Sequence, residues 1–424
     1  MIITELQQLY AAHPNVEGMY RLLQDNSVRH LYCSGLCASA ASLFSSVLIQ
    51  RVECPFVFIL GDLEEAGYFY HDLTQILGTE QVLFFPSSFR RAIKYGQKDA
   101  ANEILRTEVL SRLQKGEEGL CVVTYPDALA EKVVSRKELG DKTLKLHLGE
   151  KVDMDFVTEV LRSYSFEYVD YVYEPGQYAV RGSIIDVFSF SSEFPFRIDF
   201  FGDEVESIRT FEVESQLSKE KKENIVIVPD LSHSLEQRGN GGMVSFLDFL
   251  QPDTLLAMKD FLWLRERIQT VHDEALTAQA IAAREAEENG LISLDGKLID
   301  GGEFTLRALD FRRIEFGTKP TGTPDATVTF NTTAQPIFHK NFDLVAESFH
   351  DYLSRNYALY ICSDSLKQTE RIRAIFEDRG DNISFTSVER TLHEGFADDA
   401  LRLCIFTDHQ LFDRFHKYLS LIHI

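Results

Sequence analysis

The sequence predicts an α/β protein of several domains, built on a parallel sheet that helices cover. Three observations predict this. Short apolar runs alternate with helical patterns between about residues 30 and 130, as in a buried parallel sheet. β-rich runs then follow one another closely after residue 140, and the alternation of strands and helices returns after residue 340. The 424 residues suffice for two to four domains of roughly 100–200 residues each.

The first region, 1–140, is predicted to be an α/β domain. Its strands are expected over 30–33, 56–60, 82–85 and 120–124, and its helices over 40–50, 64–77 and 100–113. Parallel strands need crossover connections, and helices of this length provide them. Such a sheet binds ligands at the carboxyl ends of its strands.

The second region, 141–228, is predicted to be a small α+β domain. One helix over 155–163 precedes β-rich runs over 178–188, 196–201 and 204–213, joined by short turns as in an antiparallel meander. The charged stretch 218–223 is interpreted as a connector.

The remaining regions are expected to differ from each other. Region 229–340 should contain a strand over 254–258 and a long helix over 265–288, with no regular structure over 317–333. Region 341–424 is predicted to be a small α/β domain, with helices over 344–354 and 367–378 and strands over 358–363 and 401–407.

Composition limits the classes of function. The net charge of −23 works against broad binding to a phosphate backbone, which depends on Lys and Arg. The six cysteines include no C-x-x-C pair, so neither a disulfide framework nor a thiolate metal site is indicated. The N-terminus lacks the pattern of a signal peptide, and apolar runs are too short to span a bilayer. A cytoplasmic protein without a membrane partner is expected.

A loop resembling a phosphate-binding loop follows the first predicted strand and opens a helix. In the pattern G-x-x-x-x-G-K-[ST], Gly35 and Ser42 match, whereas Ala40 and Ala41 replace the second glycine and the lysine. The lysine neutralises the β- and γ-phosphates, so its loss removes the main charge. Two matches alone favour an ordinary strand-turn-helix over a nucleotide site.

Strand alternation divides residues 196–201 into two faces. Phe196, Ile198 and Phe200 should form an apolar face against the helix of this domain. The opposite face should carry Arg197, Asp199 and Phe201, with Arg181 on the adjoining strand. An exposed aromatic residue beside arginine is typical of a protein interface. Alternatively, Arg197 pairs with Asp199 or Glu206 in solvent and Phe201 belongs to the core.

Segments 173–188 and 196–209 resemble a signature shared by the excision-repair protein UvrB and the transcription-repair coupling factor family. The resemblance implies that this region docks the damage-recognition protein UvrA, with Arg181, Arg197 and Phe201 as the contact residues. It also places 35–42 on a P-loop of the RecA/helicase-like type. In the same register, Lys259 and Asp260 stand where UvrB has an Asp-Glu pair associated with Mg²⁺.

The departures from UvrB imply the UvrB-like, N-terminal module of the coupling-factor family. Residues 84–106 leave no room for the DNA-clamping hairpin of UvrB. Region 229–340 would be the remainder of that module, similar to UvrB domain 1b, and 341–424 its small third domain. The chain is then truncated before the polymerase-binding and translocase domains, through which alone ATP, Mg²⁺, RNA polymerase and DNA would be bound.

The resulting hypothesis is a recruitment module without catalytic residues, metal or cofactor, which binds UvrA. The alternative is a divergent UvrB-like ATPase that handles damaged DNA, and a third, weaker candidate is a general DNA-binding module. Other features predict little. The cations Arg90, Arg91, Lys94 and Lys98 and the acidic run 285–288 are most simply solvated helix positions. His393-Glu394 lacks the second histidine of a zinc motif.

Overall fold

The computed structural model describes residues 1–88, 100–231, 242–285 and 296–413. Within these ranges the chain forms a seven-stranded sheet, a six-stranded sheet, a five-stranded sheet and two short strand pairs. The α/β, multidomain class predicted from the sequence is confirmed.

Helices and strands alternate along most of the described chain. The helices are α1 Ile3–Ala11, α2 Pro14–Gln24, α3 Ala40–Arg51, α4 Leu63–Leu77, α5 Ala100–Lys115, α6 Pro126–Ala130, α7 Arg136–Asp141, α8 Met154–Ser163, α9 Phe246–Phe249, α10 Phe261–Glu285, α11 Gly301–Ala308, α12 Phe342–Ser354, α13 Leu366–Arg379 and α14 Asp408–Phe412. The strands are β1 His30–Ser34, β2 Phe56–Ile59, β3 Val82–Phe85, β4 Cys121–Thr124, β5 Val133–Val134, β6 Leu144–His147, β7 Glu167–Tyr168, β8 Gln177–Arg181, β9 Ile184–Val187, β10 Phe196–Phe201, β11 Glu204–Phe211, β12 Ser218–Lys221, β13 Asn224–Ile227, β14 Met243–Val244, β15 Leu255–Lys259, β16 Arg312–Phe316, β17 Ala326–Thr329, β18 Thr332–Ala334, β19 Ala358–Ser363, β20 Thr386–Glu389, β21 Phe396–Asp398 and β22 Leu403–Thr407.

The seven-stranded sheet has the order β17-β1-β16-β15-β2-β4-β3, and its neighbours are parallel. Strands β2, β3 and β4 are buried along their whole length, as expected when helices cover both faces. Strands β15 and β16, from far along the chain, enter between β1 and β2. Residues beyond 250 therefore complete the sheet that residues 30–124 begin, and the carboxyl ends of β1 and β15 reach the same edge.

The six-stranded sheet, in the order β12-β11-β10-β9-β8-β7, lies between β4 and β15 in the chain. Its pairs are antiparallel apart from β7 with β8. Val157 and Leu161 of α8 pack on one face, against apolar side chains of β8 to β11. This confirms the predicted antiparallel meander.

Three local predictions in the sequence need correction. The run 178–188 is a hairpin of β8 and β9 that turns at Gly182, whose φ of +62° suits glycine. The connector at 218–223 contains β12, which pairs with β11 although its side chains are exposed. Stretch 317–333 contains β17 and the start of β18, so the prediction of no regular structure was wrong. In the last two cases backbone pairing forms a strand without an apolar pattern.

The five-stranded sheet, in the order β18-β21-β22-β19-β20, is mixed. One of its sides packs on α1: Leu392, Phe396 and Ile405 belong to the same apolar cluster as Leu6 and Tyr10. In addition, the Tyr10 hydroxyl donates a 2.8 Å hydrogen bond to the buried carboxylate of Asp398. The C-terminal sheet is thereby attached to the first domain. Among the described residues, no helix combines the length and apolarity needed to cross a membrane.

Candidate docking face and degenerate phosphate loop

The side of the six-stranded sheet away from α8 is termed the outer face. Alternating positions of β8 to β11 supply it, since the intervening side chains enter the cluster with Val157 and Leu161. Its members are Ala179, Arg181, Ile184, Asp186, Arg197, Asp199, Phe201, Ser207, Arg209 and Phe211. Three arginines and two aspartates lie among these members, and Glu204 pairs with Phe201 where β10 and β11 meet, so the charges of this face are balanced within a strongly acidic chain.

Asp186 lies at the centre of the outer face, with 1% of the residue exposed. Its Oδ1 accepts a hydrogen bond of 2.7 Å from Nε of Arg197, and its Oδ2 accepts one of 2.9 Å from Nη2 of the same side chain. Nη2 of Arg181 donates to Oδ2 as well. One carboxylate thus binds two guanidinium groups, an arrangement of charge-assisted bonds with defined directions.

Arg197 is held on three sides and only 15% of its side chain is exposed. Nη1 donates to the carbonyl oxygen of Gln216 at 3.1 Å, and the guanidinium carbon lies 4.5 Å from the ring centroid of Phe211. Hydrogen bonding to Asp186 raises the pKa of Arg197 above its ordinary value. This side chain therefore remains a fixed cation.

Arg181 is more open, with 37% of its side chain exposed. Its guanidinium carbon lies 5.2 Å from the ring centroid of Tyr171, a residue that is itself 52% exposed. Cation–π contact of this kind contributes about 0.5–1 kcal/mol at exposed positions. Arg181 thus combines a fixed orientation with an edge that solvent or a partner can reach.

Phe201 projects into solvent, with 78% of the residue exposed, whereas Phe200 is 3% exposed. The predicted alternation is therefore confirmed, and the alternative that Phe201 belongs to the core is wrong. The predicted alternative pairing of Arg197 is also wrong. Its carboxylate partner is Asp186, while Asp199 accepts hydrogen bonds from Ser207 and Arg209.

The sequence interpretation missed Asp186, although a signal existed. A single carboxylate in the otherwise apolar run Ile-Ile-Asp-Val of β9 marks a buried charge that needs a partner. The strand register then places it beside Arg197. Register depends on the apolar pattern of both strands and on the geometry of the turn between them, so the pattern of β9 alone does not specify it.

Polar backbone atoms of the loop after β1 are hydrogen-bonded to other parts of the protein. The amide of Cys37 donates to the hydroxyl of Thr332 at 3.1 Å, and the amide of Ser39 donates to the carbonyl oxygen of Glu394 at 3.3 Å. The amide of Glu394 donates back to the hydroxyl of Ser39 at 3.0 Å. In a phosphate-binding loop, backbone amides instead point at the phosphate.

Ala40, Ala41 and Ser42 begin helix α3. Ala40 is fully buried. The hydroxyl of Ser42 donates a 3.0 Å hydrogen bond to Oδ2 of Asp72, whose Oδ1 accepts the amide of His393 at 2.7 Å. Burial raises the pKa of Asp72 to about 7, against the opposing effect of hydrogen bonds from Ser39, His393 and Ser42. The serine of the P-loop pattern thus contacts an internal carboxyl group.

Lys259 and Asp260 end β15 at the same edge of the sheet. Lys259 forms an ion pair with Glu65 of α4, and both side chains are about one-third exposed. Oδ1 of Asp260 accepts the amide of Thr318 at 3.3 Å. The loop, Lys259 and Glu65 border a cleft of about 460 Å³, which Tyr68, Phe316 and Glu394 also line.

The remaining candidates lie in this cleft or outside the described ranges. His393 and Glu394 line the cleft, where the ring of His393 stacks on Tyr68 with 3.5 Å between centroids. No group of three or more His, Cys, Asp or Glu side chains suited to a metal ion occurs in the described part of the chain. Arg90, Arg91, Lys94 and Lys98 lie outside the described residues, as do the side chains of 285–288.

Comparisons with known proteins agree with the position of the outer face. Residues 144–233 match the model of the UvrB interaction domain, and this range includes every member of the outer face. The transcription-repair-coupling factor of Bacillus subtilis (strain 168) is 30% identical over 197 residues, or 46% of this chain, and that of Escherichia coli (strain K12) is 29% identical over 196 residues. A similar factor from Staphylococcus aureus (strain bovine RF122 / ET3-1) aligns at 21% identity with 89% of the chain. The chain is a homologue of transcription-repair-coupling factors.

The match covers only part of those transcription-repair-coupling factors. It spans 17% of the Escherichia coli and Bacillus subtilis proteins and 38% of the Staphylococcus aureus protein. The homology corresponds to their N-terminal region and extends over much of this chain. The family assignment predicted from segments 173–188 and 196–209 is therefore confirmed.

Proposed function

We propose that this chain is a non-enzymatic recruitment module that binds UvrA through Arg181, Arg197 and Phe201 of the outer face. By resembling UvrB it would bring nucleotide excision repair to stalled transcription, as the name of its relatives implies. The observation that carries the proposal is the exposure of Phe201 on the same face as an ordered arginine pair, inside the range that matches the UvrB interaction domain.

The chemistry of this surface supports a protein partner. An aromatic ring offers a large apolar area with little conformational entropy to lose, and aromatic and arginine side chains are enriched among the residues that dominate binding energy. Phe201 supplies the ring and Arg181 supplies N–H donors with an open edge. Because Arg181 and Arg197 already have fixed orientations, binding would cost little further ordering.

Contacts at the cleft support the non-enzymatic part of the proposal. Glu394 and Thr332 occupy amides of the phosphate loop, Ser42 binds Asp72, and Ala41 offers no cation. Lys259 would repel Mg²⁺ from the position that an acidic residue holds in UvrB. In this proposal ATP, Mg²⁺, DNA and RNA polymerase are bound by other parts of a longer protein.

Binding to purified UvrA tests the docking function, for example by biolayer interferometry on the immobilised chain. Phe201→Ala and Arg181→Ala should each weaken binding about tenfold or more, as hot-spot residues do. The Arg181→Ala/Arg197→Ala/Phe201→Ala variant should abolish it. Arg162→Ala is the matched control, because Arg162 lies on α8 at the opposite side of the same domain. Equal binding by the wild type and the triple variant would refute the proposal.

The competing function is a divergent UvrB-like ATPase. Thermal unfolding with and without ATP and Mg²⁺ separates the two, because a ligand that binds the folded state raises the melting temperature. We expect no nucleotide-dependent shift. A shift that grows with ATP concentration would favour the enzyme, and salt-dependent retardation of DNA in a gel would favour a general DNA-binding module.

A further inference from the structure

We infer that Asp186 is a positioning residue for the docking surface: its single carboxylate sets the directions of both Arg181 and Arg197. The inference rests on the proposed function, since it concerns how the same face recognises UvrA. Asp186 itself is 1% exposed and cannot make an extensive contact with a partner. Its effect on binding would therefore pass through the two guanidinium groups.

The strand register explains why one residue can hold both arginines. Asp186 pairs across the sheet with Ala179 on one side and with Arg197 on the other. The small side chain of Ala179 leaves room at this position, and Arg181 lies two residues further along the same strand and face. Arg181 therefore reaches Asp186 diagonally, while Arg197 reaches it directly.

The two oxygens of Asp186 accept different numbers of hydrogen bonds from the arginines. Oδ1 accepts from Nε of Arg197, and Oδ2 accepts from Nη2 of both arginines. Arg197 is held by one more hydrogen bond, which its Nη1 donates to the carbonyl oxygen of Gln216. Arg181, by contrast, has only Asp186 and the ring of Tyr171 as described side-chain contacts. Loss of the carboxylate should consequently release Arg181 more than Arg197.

Charge balance makes the arrangement more than a steric support. A buried carboxylate without a cation is strongly destabilising, whereas replacing a buried ion pair with neutral side chains of similar volume is often neutral. Asp186 and Arg197 thus depend on each other for stability, while the exposed edge of Arg181 remains available to the partner. This predicts that binding and stability respond differently to combined substitutions.

Asp186→Asn is the first test, because asparagine keeps the shape and removes the charge. One amide N–H would then face the guanidinium donors, so we expect about a tenfold loss of affinity for UvrA, the equivalent of one charge-assisted hydrogen bond. Asp127→Asn is the matched control. Asp127 forms the same two-bond contact with Arg267, at 3.2 and 2.7 Å, outside this domain, and its substitution should leave UvrA binding unchanged.

Combined variants separate positioning from a general loss of structure. In an Arg181→Ala/Arg197→Ala background, Asp186→Asn should raise the melting temperature, since it removes an unpaired buried charge, and should cost no further affinity. If Asp186→Asn unfolds the domain, Asp186→Asn/Arg197→Met provides a neutral replacement. In that variant Arg181→Ala should reduce affinity less than it does in the wild type.

The outcomes distinguish this inference from the proposed function. If Asp186→Asn binds UvrA as the wild type does while Arg181→Ala binds weakly, the positioning role is wrong and the docking function stands. A further affinity loss from Asp186→Asn in the arginine-free background would also overturn the positioning role. If neither the arginine variants nor Phe201→Ala affect binding, the docking function itself fails.

Discussion

The hydroxyl of Ser42 donates a 3.0 Å hydrogen bond to the fully buried carboxyl group of Asp72. The other oxygen of Asp72 accepts the amide of His393, which lies more than 300 residues further along the chain. The residue that matches the hydroxyl position of a P-loop therefore helps to join the C-terminal sheet to the first domain. The protonation of Asp72 should therefore affect the stability of the folded chain.

Stability should depend on pH through Asp72. Burial raises the pKa of its carboxyl group from 3.8 to about 7, and neighbouring Glu394 adds to the shift. Between those values the folded chain binds more protons than the unfolded chain, so the stabilisation is lost as pH rises through about 7. Asp72→Asn removes this titration while keeping a polar group that can pair with Ser42 and His393.

Urea unfolding of both proteins at pH 5.5 and pH 8 measures the effect. Relative to the wild type, Asp72→Asn should gain about 2 kcal/mol between the two pH values, because about one and a half pKa units of the shift fall in that interval. Comparing variant with wild type cancels the other titrating groups. A difference that is the same at both pH values would show that Asp72 has an ordinary pKa.

Restoring the P-loop lysine alone should not restore nucleotide binding. In Ala41→Lys the missing cation returns, but Glu394 and Thr332 still occupy the amides of Ser39 and Cys37. Isothermal titration with ATP and Mg²⁺ should give no measurable heat of binding for the wild type or the variant. Saturable ATP binding by Ala41→Lys would mean that the loop needs only charge.

Truncation of the two neighbouring phenylalanines in β10 should change the free energy of unfolding by very different amounts. Phe200→Ala removes a buried ring and should cost about 3–5 kcal/mol of unfolding free energy. Phe201→Ala removes an exposed ring and should change stability by less than about 0.5 kcal/mol. Denaturant unfolding checks both values, and each variant controls for the other. A large stability loss in Phe201→Ala would show that its ring packs on the domain.

Gly35 should be intolerant of a side chain. Its φ is +78°, and a Cβ would lie 2.1 Å from the carbonyl oxygen of Phe330. The amide of Phe330 donates a hydrogen bond to the carbonyl oxygen of Ser34 in β1, which holds the two backbones close together. A residue with a side chain at positive φ costs about 1–3 kcal/mol. The clash with Phe330 would in addition push the backbone of the loop away from that of Phe330. Gly380→Ala is the control, because φ is +73° there with no atom near the added Cβ.

Thermal unfolding should therefore rank Gly35→Ala as much less stable than Gly380→Ala, which should lose only about 1 kcal/mol. Equal losses would mean that the loop can move away from Phe330. In that case the close approach of the two backbones is not required by the fold.

Features that depend on local pattern could be predicted from the amino-acid sequence. Alternation along 196–201 was sufficient to separate Phe200 from Phe201, because side chains of a strand point to opposite faces. Short apolar runs were likewise sufficient to predict the positions of strands β1 to β4. The absence of a lysine at Ala41 is also a local fact.

The contacts between groups far apart in the chain could not be predicted in this way, because they form only in the folded protein. Strands β15 and β16 enter the sheet of the first domain, Asp186 accepts hydrogen bonds from both arginines, and Glu394 bonds to Ser39 of the phosphate loop. Each of these contacts depends on strand register or on packing between segments far apart in the chain, and the periodicity of one segment does not specify its partner. Hydrogen bonds between backbone atoms, such as the one from the amide of Ser39 to the carbonyl oxygen of Glu394, can form whichever side chain is present. The sequence therefore carries little signal for them.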